Sequence, residues 1–360
     1  MATVLRAVGD PSLRIKNVAA SAAIVVLACA VYAVAPFHQD LMQRLYRLPG
    51  LEFTGLQSLI ALAGAYILVL AAYLLTESDP GVSKSLRFFR VLASTLRAPV
   101  ATIRAGLSPE DRLAVLTTLL KSFFGPLMVI AMVDLCGGAW AYGTALVEAG
   151  LPEAGIRPLF DRYVFWFLLK VVYFVDVLIF TVGYLVESRK LGNEIRSVDP
   201  TLVGWAAALA CYTPFNALTG AVLGSPTEDF PHFDNTTIHI TLNVVALSLL
   251  TVYTSASVAL GLKASNLTHR GVVARGPYAV IRHPAYTCKN MAWWIGSVPF
   301  VLAAFDRSWF EGVQAVGSIA GWSAIYILRA LTEEDHLRSV DGEYAAYAAK
   351  VRYRFIPGVV

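Results

Sequence analysis

Two polar segments of this 360-residue chain concentrate the side chains that do chemistry. The first, Arg275-Gly276-Pro277-Tyr278-Ala279-Val280-Ile281-Arg282-His283-Pro284-Ala285-Tyr286, brings guanidinium, imidazole and phenol groups into one short stretch. The second, Arg329-Ala330-Leu331-Thr332-Glu333-Glu334-Asp335-His336, carries a guanidinium and two adjacent glutamates. Pro284 disfavours helical geometry at His283, and Gly276-Pro277 makes a turn. The first segment therefore reads as a turn leading into a helix, with its side chains gathered at the helix N-terminus. Free backbone N–H groups and the helix dipole attract anions there, while tyrosine faces attract a cation such as a sulfonium. A ligand with a carboxylate, an aromatic base and a positive sulfur uses all three. Arg329 and Glu333 are four residues apart and share a helix face. The bland reading of that pair is a surface ion pair, with Glu334 pointing elsewhere.

The elements that position these segments are apolar. The chain is 57% hydrophobic and 15% charged, where a soluble protein carries about a quarter charged residues. Eight runs near 20 residues read as transmembrane helices, at 17–36, 53–75, 118–147, 164–186, 201–223, 237–261, 288–306 and 309–330. The first follows Arg6, Arg14 and Lys16 but has no persuasive cleavage site, so it reads as a retained helix and not a signal peptide. With the N-terminus in the cytoplasm, 22 of the 29 Lys and Arg fall in inside segments and five in outside loops. The expected fold is thus all-α, a polytopic integral membrane helical bundle of about eight transmembrane helices. Both termini and both polar segments face the cytoplasm.

The net charge of +4 marks topology and not nucleic-acid binding, since no basic face with interleaved aromatics is present. Cys29, Cys136, Cys211 and Cys288 are scattered, which suggests neither a metal site nor a disulfide framework. Residues 1–200 read as a four-helix membrane region with a basic insert at 76–116, and 201–360 as a second region carrying both polar segments. Within the insert, Lys84, Arg87, Arg90, Arg97 and Arg104 alternate with apolar residues, as in a helix resting on anionic lipids. Ser108-Pro109-Glu110-Asp111 reads as a cap and first helical turn. Among the charges within spans, Asp134 and Lys170 fall at comparable depth and suggest an ion pair, while Asp176 has no evident partner. Loop 187–200 either borders the site or merely connects. Tyr212-Thr213-Pro214-Phe215-Asn216 marks a kink in the fifth span. Tyr344, Tyr347 and Val351 share one face of a short helix, either a lid or an amphipathic terminus.

Taken together and in order, Gly276-Pro277-Tyr278, Arg282-His283-Pro284-x-Tyr286, a helical hairpin, Arg329-x-x-x-Glu333-Glu334-x-x-Leu337, Asp341-Gly342-x-Tyr344-x-x-Tyr347 and Arg354-x-Ile356-Pro357 form a composite pattern. It resembles the isoprenylcysteine carboxyl methyltransferase family and its phospholipid methyltransferase relatives, over about residues 240–360. The resemblance implies an integral membrane enzyme with an S-adenosylmethionine pocket facing the cytoplasm, in a bacterial inner membrane, and a lipid or lipidated acceptor entering from the bilayer. It implies cofactor contacts from Tyr278, Arg282, His283, Tyr286, Glu334 and Tyr347, catalytic roles for Arg329 and Glu333, and no metal. The chain departs from the family in having Cys288-Lys289-Asn290 where a Gly is usual, Val351-Arg352 where Val-Pro is usual, and extra spans at the N-terminal end. The acceptor is expected to be an isoprenylcysteine carboxylate or similar, with a phospholipid amine as the alternative. A sterol-reductase-like enzyme using NADPH shares the Arg-His-Pro-x-Tyr and Tyr353-Arg354-x-x-Pro357 elements but usually lacks the paired glutamates. A membrane scaffold or transporter predicts tolerance of change at His283 and Glu334.

Overall fold

The computed structural model describes residues 10–77, 81–149 and 155–359; Arg6 of the first inside segment and residues 78–80 of the insert lie outside them. The chain is an all-α protein built largely of long apolar helices. It divides into two compact units, Met1–Asp134 and Leu135–Val360, so the boundary expected near residue 200 falls inside the second unit.

The first unit holds α1 (Pro11–Val34), the hairpin β1–β2 (Leu45–Leu48 and Leu51–Thr54), α2 (Gly55–Thr76), α3 (Lys84–Arg97), α4 (Pro99–Ala105) and the start of α5 (Pro109–Ala149). Local chemistry sets its boundaries. Asp10 accepts the Ser12 N–H ahead of Pro11, Thr54 and Gln57 form a reciprocal cap on α2, and the Ser108 hydroxyl accepts the Asp111 N–H at 3.1 Å. The amphipathic α3 buries none of its residues, and Arg87 ties it to Glu110 and Asp111 of α5. Asp134 bonds Arg44 and the Tyr46 hydroxyl in place of the expected pairing with Lys170. A guanidinium and a phenol on the β1 segment meet its carboxylate within the same unit.

The second unit contains α6 (Ile156–Leu185), α7 (Leu202–Leu209), α8 (Phe215–Leu223), α9 (Thr236–Leu260), α10 (Pro284–Arg307), α11 (Trp309–Val340) and α12 (Gly342–Lys350). Helix α9 packs on α6 and α10, and α10 on α11. Their shared core is Phe160, Phe165, Leu169, Ala246, Leu247, Leu250 and Ala292. Six helices among the described residues (α1, α2, α5, α6, α9 and α11) are long and apolar enough to cross a membrane, against the eight spans expected. The run 201–223 is not one continuous helix, because it breaks into α7 and α8 at a turn ending in Pro214. Proline lacks the N–H that would continue the helix and disfavours helical geometry in the residue before it. The run 288–306 is helical, but Lys289, Asn290, Trp293 and Trp294 keep α10 less apolar than the other six. Large apolar side chains such as Leu68, Val69, Leu218 and Val222 stand exposed, as on helices whose solvent is lipid.

Two connections matter for the site. Ser197–Val198 (β3) of loop 187–200 pairs antiparallel with Thr268–His269 (β4). Ala264, just ahead of β4, lies so close to α6 that a Cβ on Gly183 would stand 2.0 Å from its carbonyl oxygen.

Candidate active site

The two polar segments meet. Gly276–Ala279 forms one tight helical turn. His283, at φ −124° and ψ 57°, is not helical, and α10 starts at Pro284 as the sequence requires. Here the buried Glu334 of α11 takes Arg282 Nε at 2.8 Å and His283 Nε2 at 3.1 Å on one carboxylate oxygen. Its other oxygen takes Arg338 at 2.8 Å and Arg354 at 3.2 Å. The chain after α12 straps the first segment down, with the N–H groups of Arg282 and His283 donating to the carbonyls of Tyr353 and Arg354 at 2.9 Å. Tyr344, Tyr347 and Val351 form the small core beneath this strap.

One turn earlier on α11, Arg329 is buried and donates to Asn266 Oδ1 at 3.0 Å. Its guanidinium lies 5.1 Å from the Tyr286 ring centroid, 5.2 Å from Tyr326 and 5.7 Å from Tyr212. Planar, weakly hydrated guanidinium suits such ring faces. Arg329 is therefore no surface ion pair with Glu333. Glu333 stands exposed and accepts the Tyr286 hydroxyl at 3.0 Å, while the His283 ring stacks on Tyr286 at 5.6 Å and 5°.

These residues surround an open cavity of about 970 Å³, mouth included, lined by Tyr278, His283, Tyr286, Arg329 and Glu333. Arg282, Glu334 and Tyr347, expected as cofactor contacts, do not line it. Arg282 and Glu334 saturate each other's neighbourhood, and Tyr347 turns its hydroxyl to the Tyr278 carbonyl at 2.8 Å. Burial pushes the Tyr278 phenol far up, and burial also pushes Tyr347 up to about 12, so both stay neutral donors at physiological pH.

Sequence reasoning missed several wall residues. Tyr212 sits at the α7–α8 break, Asn266 in the loop before β4, and Tyr253, Lys289 and Tyr326 on α9, α10 and α11. Two carried a usable signal: Tyr326 precedes Arg329 by three residues and Lys289 follows Tyr286 by three, so each pair shares a helix face. Asn266 and Tyr212 had none, because only the fold brings their loops to α11. Loop 187–200 does border the cavity, through Asp199. Asp176, unpartnered in sequence, accepts the Tyr253 hydroxyl at 2.6 Å and the Ser257 hydroxyl. Comparison with protein-family models, curated proteins and solved structures found no match to this chain.

Proposed function

We propose that this chain is a membrane methyltransferase that takes S-adenosylmethionine from the cytoplasm and methylates a lipid-like acceptor admitted from the bilayer. The observation that supports it most is the meeting of two polar segments, some 50 residues apart, around one cavity with a buried arginine and an exposed glutamate on its wall. The lining has a place for the cofactor's cation at the Tyr278 ring, while the rings of Tyr212, Tyr286 and Tyr326 already face Arg329; the Thr332 hydroxyl, which donates to the Arg329 carbonyl, keeps acceptor capacity on the same wall.

S-adenosylmethionine supplies an electrophilic methyl group on a sulfonium. The work left to the protein is orientation of the acceptor and exclusion of water. Arg329, fixed by Asn266 and three rings, orients an oxygen of the acceptor. Glu333 would take the proton from an amine acceptor and leave its lone pair free to receive the methyl group as the carbon–sulfur bond breaks and sulfur leaves as a neutral thioether, while a carboxylate acceptor would need no base. The His283 imidazole, anchored by Glu334, keys the Tyr286 ring, and Tyr286 keys Glu333. The charge bias of the loops supports a cavity open to the cytoplasm of a bacterial inner membrane. The exposed basic face of α3 suits anionic lipid.

Calorimetric titration of the purified protein with S-adenosylmethionine and with NADPH tests the reading, together with mass spectrometry of lipid extract incubated with labelled methyl donor. Saturable binding of S-adenosylmethionine and a labelled lipid are expected, with Arg329→Ala and Glu333→Ala folded but without turnover. Saturable binding of NADPH alone, or full activity in both variants, overturns it.

A further inference from the structure

Asp199 is a carboxylate of the cavity wall that the reading above leaves unused. It lies in loop 187–200, well ahead of residues 240–360. Half of its side chain is engaged. Oδ1 accepts the Thr201 N–H at 2.8 Å and the Thr201 hydroxyl at 2.7 Å. That hydroxyl in turn caps α7 by accepting the Gly204 N–H at 3.1 Å, and the Asp199 carbonyl accepts Trp205 Nε1 at 2.8 Å. These bonds fix the carboxylate in a residue only 2% exposed. Oδ2 differs: among the described residues it accepts no hydrogen bond, and it is not sealed from solvent. Gly204 makes room for it, since a Cβ there would stand 2.0 Å from Oδ2 and 2.7 Å from the carboxyl carbon.

The His336 imidazole is within electrostatic reach of Asp199, but its Nε2 meets the Ser197 hydroxyl at 3.1 Å and no bond joins it to the carboxylate. Among the described residues no three His, Cys, Asp or Glu side chains are grouped to hold a metal. A fixed, buried carboxylate oxygen facing a cavity then suits an O–H or N–H of the ligand, because a polar atom left without a partner costs free energy that an incoming donor recovers. Position along α11 selects among the donors of the proposed cofactor. His336 stands three residues beyond Glu333, about 4.5 Å further along the helix and away from Arg329. The ribose is joined to the sulfonium through a single methylene, so its hydroxyls fall within one helical turn of the methyl group. One carboxylate oxygen has lone pairs for both.

We infer that Asp199 Oδ2 receives the ribose hydroxyls of the nucleoside, which makes loop 187–200 part of the cofactor site and its carboxylate the group that selects an unphosphorylated ribose. The inference rests on the methyl-transfer reading for the identity of the nucleoside, and on Asp199 for the diol. A ribose that carries a 2′-phosphate sets like charge against the carboxylate and is rejected.

The test is calorimetric titration of the full-length protein in dodecyl maltoside micelles. The ligands are S-adenosylhomocysteine, its 2′-deoxy and 3′-deoxy counterparts, methylthioadenosine, which lacks the amino-acid group, and NADH and NADPH. The unaltered protein is expected to bind S-adenosylhomocysteine about tenfold tighter than at least one deoxy counterpart, as a hydrogen bond to a charged group supplies. Asp199→Asn and Gly204→Ala, whose added methyl group displaces Oδ2, each level that difference and weaken methylthioadenosine by the same factor. Equal affinity of the unaltered protein for S-adenosylhomocysteine and both deoxy counterparts overturns the inference even if neither variant folds, and leaves methyl transfer standing. A preference for the hydroxyls that survives both variants also overturns it. So does a loss confined to S-adenosylhomocysteine with methylthioadenosine unaffected, which places Asp199 on the ligand's ammonium. Binding of NADH without S-adenosylhomocysteine, with an Asp199-dependent preference over NADPH, sinks methyl transfer and leaves the diol site standing. Binding of no nucleoside sinks both.

Discussion

Around Glu334 a single sealed carboxylate answers three guanidiniums and an imidazole, while around Arg329 a buried guanidinium has three ring faces and one amide oxygen. The two regions are five residues apart on one helix and do opposite work. The bonds of Glu334 to Arg282, His283 and Arg354 join α11 to the turn before α10 and to the chain after α12, and its bond to Arg338 lies within α11. Arg329 and its neighbour Glu333 keep surfaces turned to the cavity. The cavity wall differs from its support in what it leaves turned to the cavity.

The sharpest way to break the comparison is to unseal the support. Glu334→Gln leaves its guanidinium partners without their charge, and removing one partner of a buried pair costs about 3–5 kcal/mol. A large drop in Tm is expected, with turnover per folded molecule reduced far less. A stable but inactive Glu334→Gln would place that carboxylate in the chemistry. Glu333→Gln is expected to do the reverse, lowering methyl transfer to an amine about 100-fold as for loss of a general base. Its Tm should stay within a degree or two, and the loss should appear in kcat more than in KM. Both variants read on one thermal-shift and one turnover assay decide which glutamate supports and which reacts.

The cavity wall also depends on a backbone fit. Gly183→Ala puts a methyl group 2.0 Å from the Ala264 carbonyl oxygen, so the loop that carries Asn266 must shift. Overpacking of this kind costs about 1–3 kcal/mol, and the affinity for S-adenosylmethionine should fall with it when measured by calorimetry. Affinity unchanged would mean that Arg329 keeps its place without Asn266.

The smallest effect belongs to the strap. Asp341 caps α12 and receives His269 Nε2 at 2.6 Å. Burial alone would raise its carboxyl, but the Glu343 N–H and the His269 imidazole outweigh burial and hold it below the usual range. The folded pKa is depressed, so its stabilisation is present above the ordinary aspartate value of about 4 and is lost as pH falls through the lower folded value. Hydrogen exchange in residues 342–351 should rise on acidification in that window. Asp341→Asn should remove the dependence, at a cost of about 1 kcal/mol for the weakened cap.

Much of the frame was legible in the chain itself. Apolar runs near 20 residues and the scarcity of charge determined a helical membrane protein, because a run of that length matches a spanning helix, which satisfies its own backbone in hydrocarbon, and is twice what a barrel strand needs. Proline and cap chemistry set the starts of α5 and α10, since a proline, or a serine hydroxyl accepting an N–H, acts over three or four residues. The face shared by Tyr344, Tyr347 and Val351 followed from helical spacing alone. What only the tertiary structure decided lies across the fold. Pro214 announced a kink, but that it ends one helix and places Tyr212 under Arg329 depends on how α7 packs against α11. The partners of Asp134 and Asp176 were unreadable because they are 77 to 90 residues away in sequence. The two adjacent glutamates look alike on paper. A turn of 100° between successive helical residues points one into a ring of arginines and the other to the cavity mouth, and no local pattern records which side of the helix the arginines occupy.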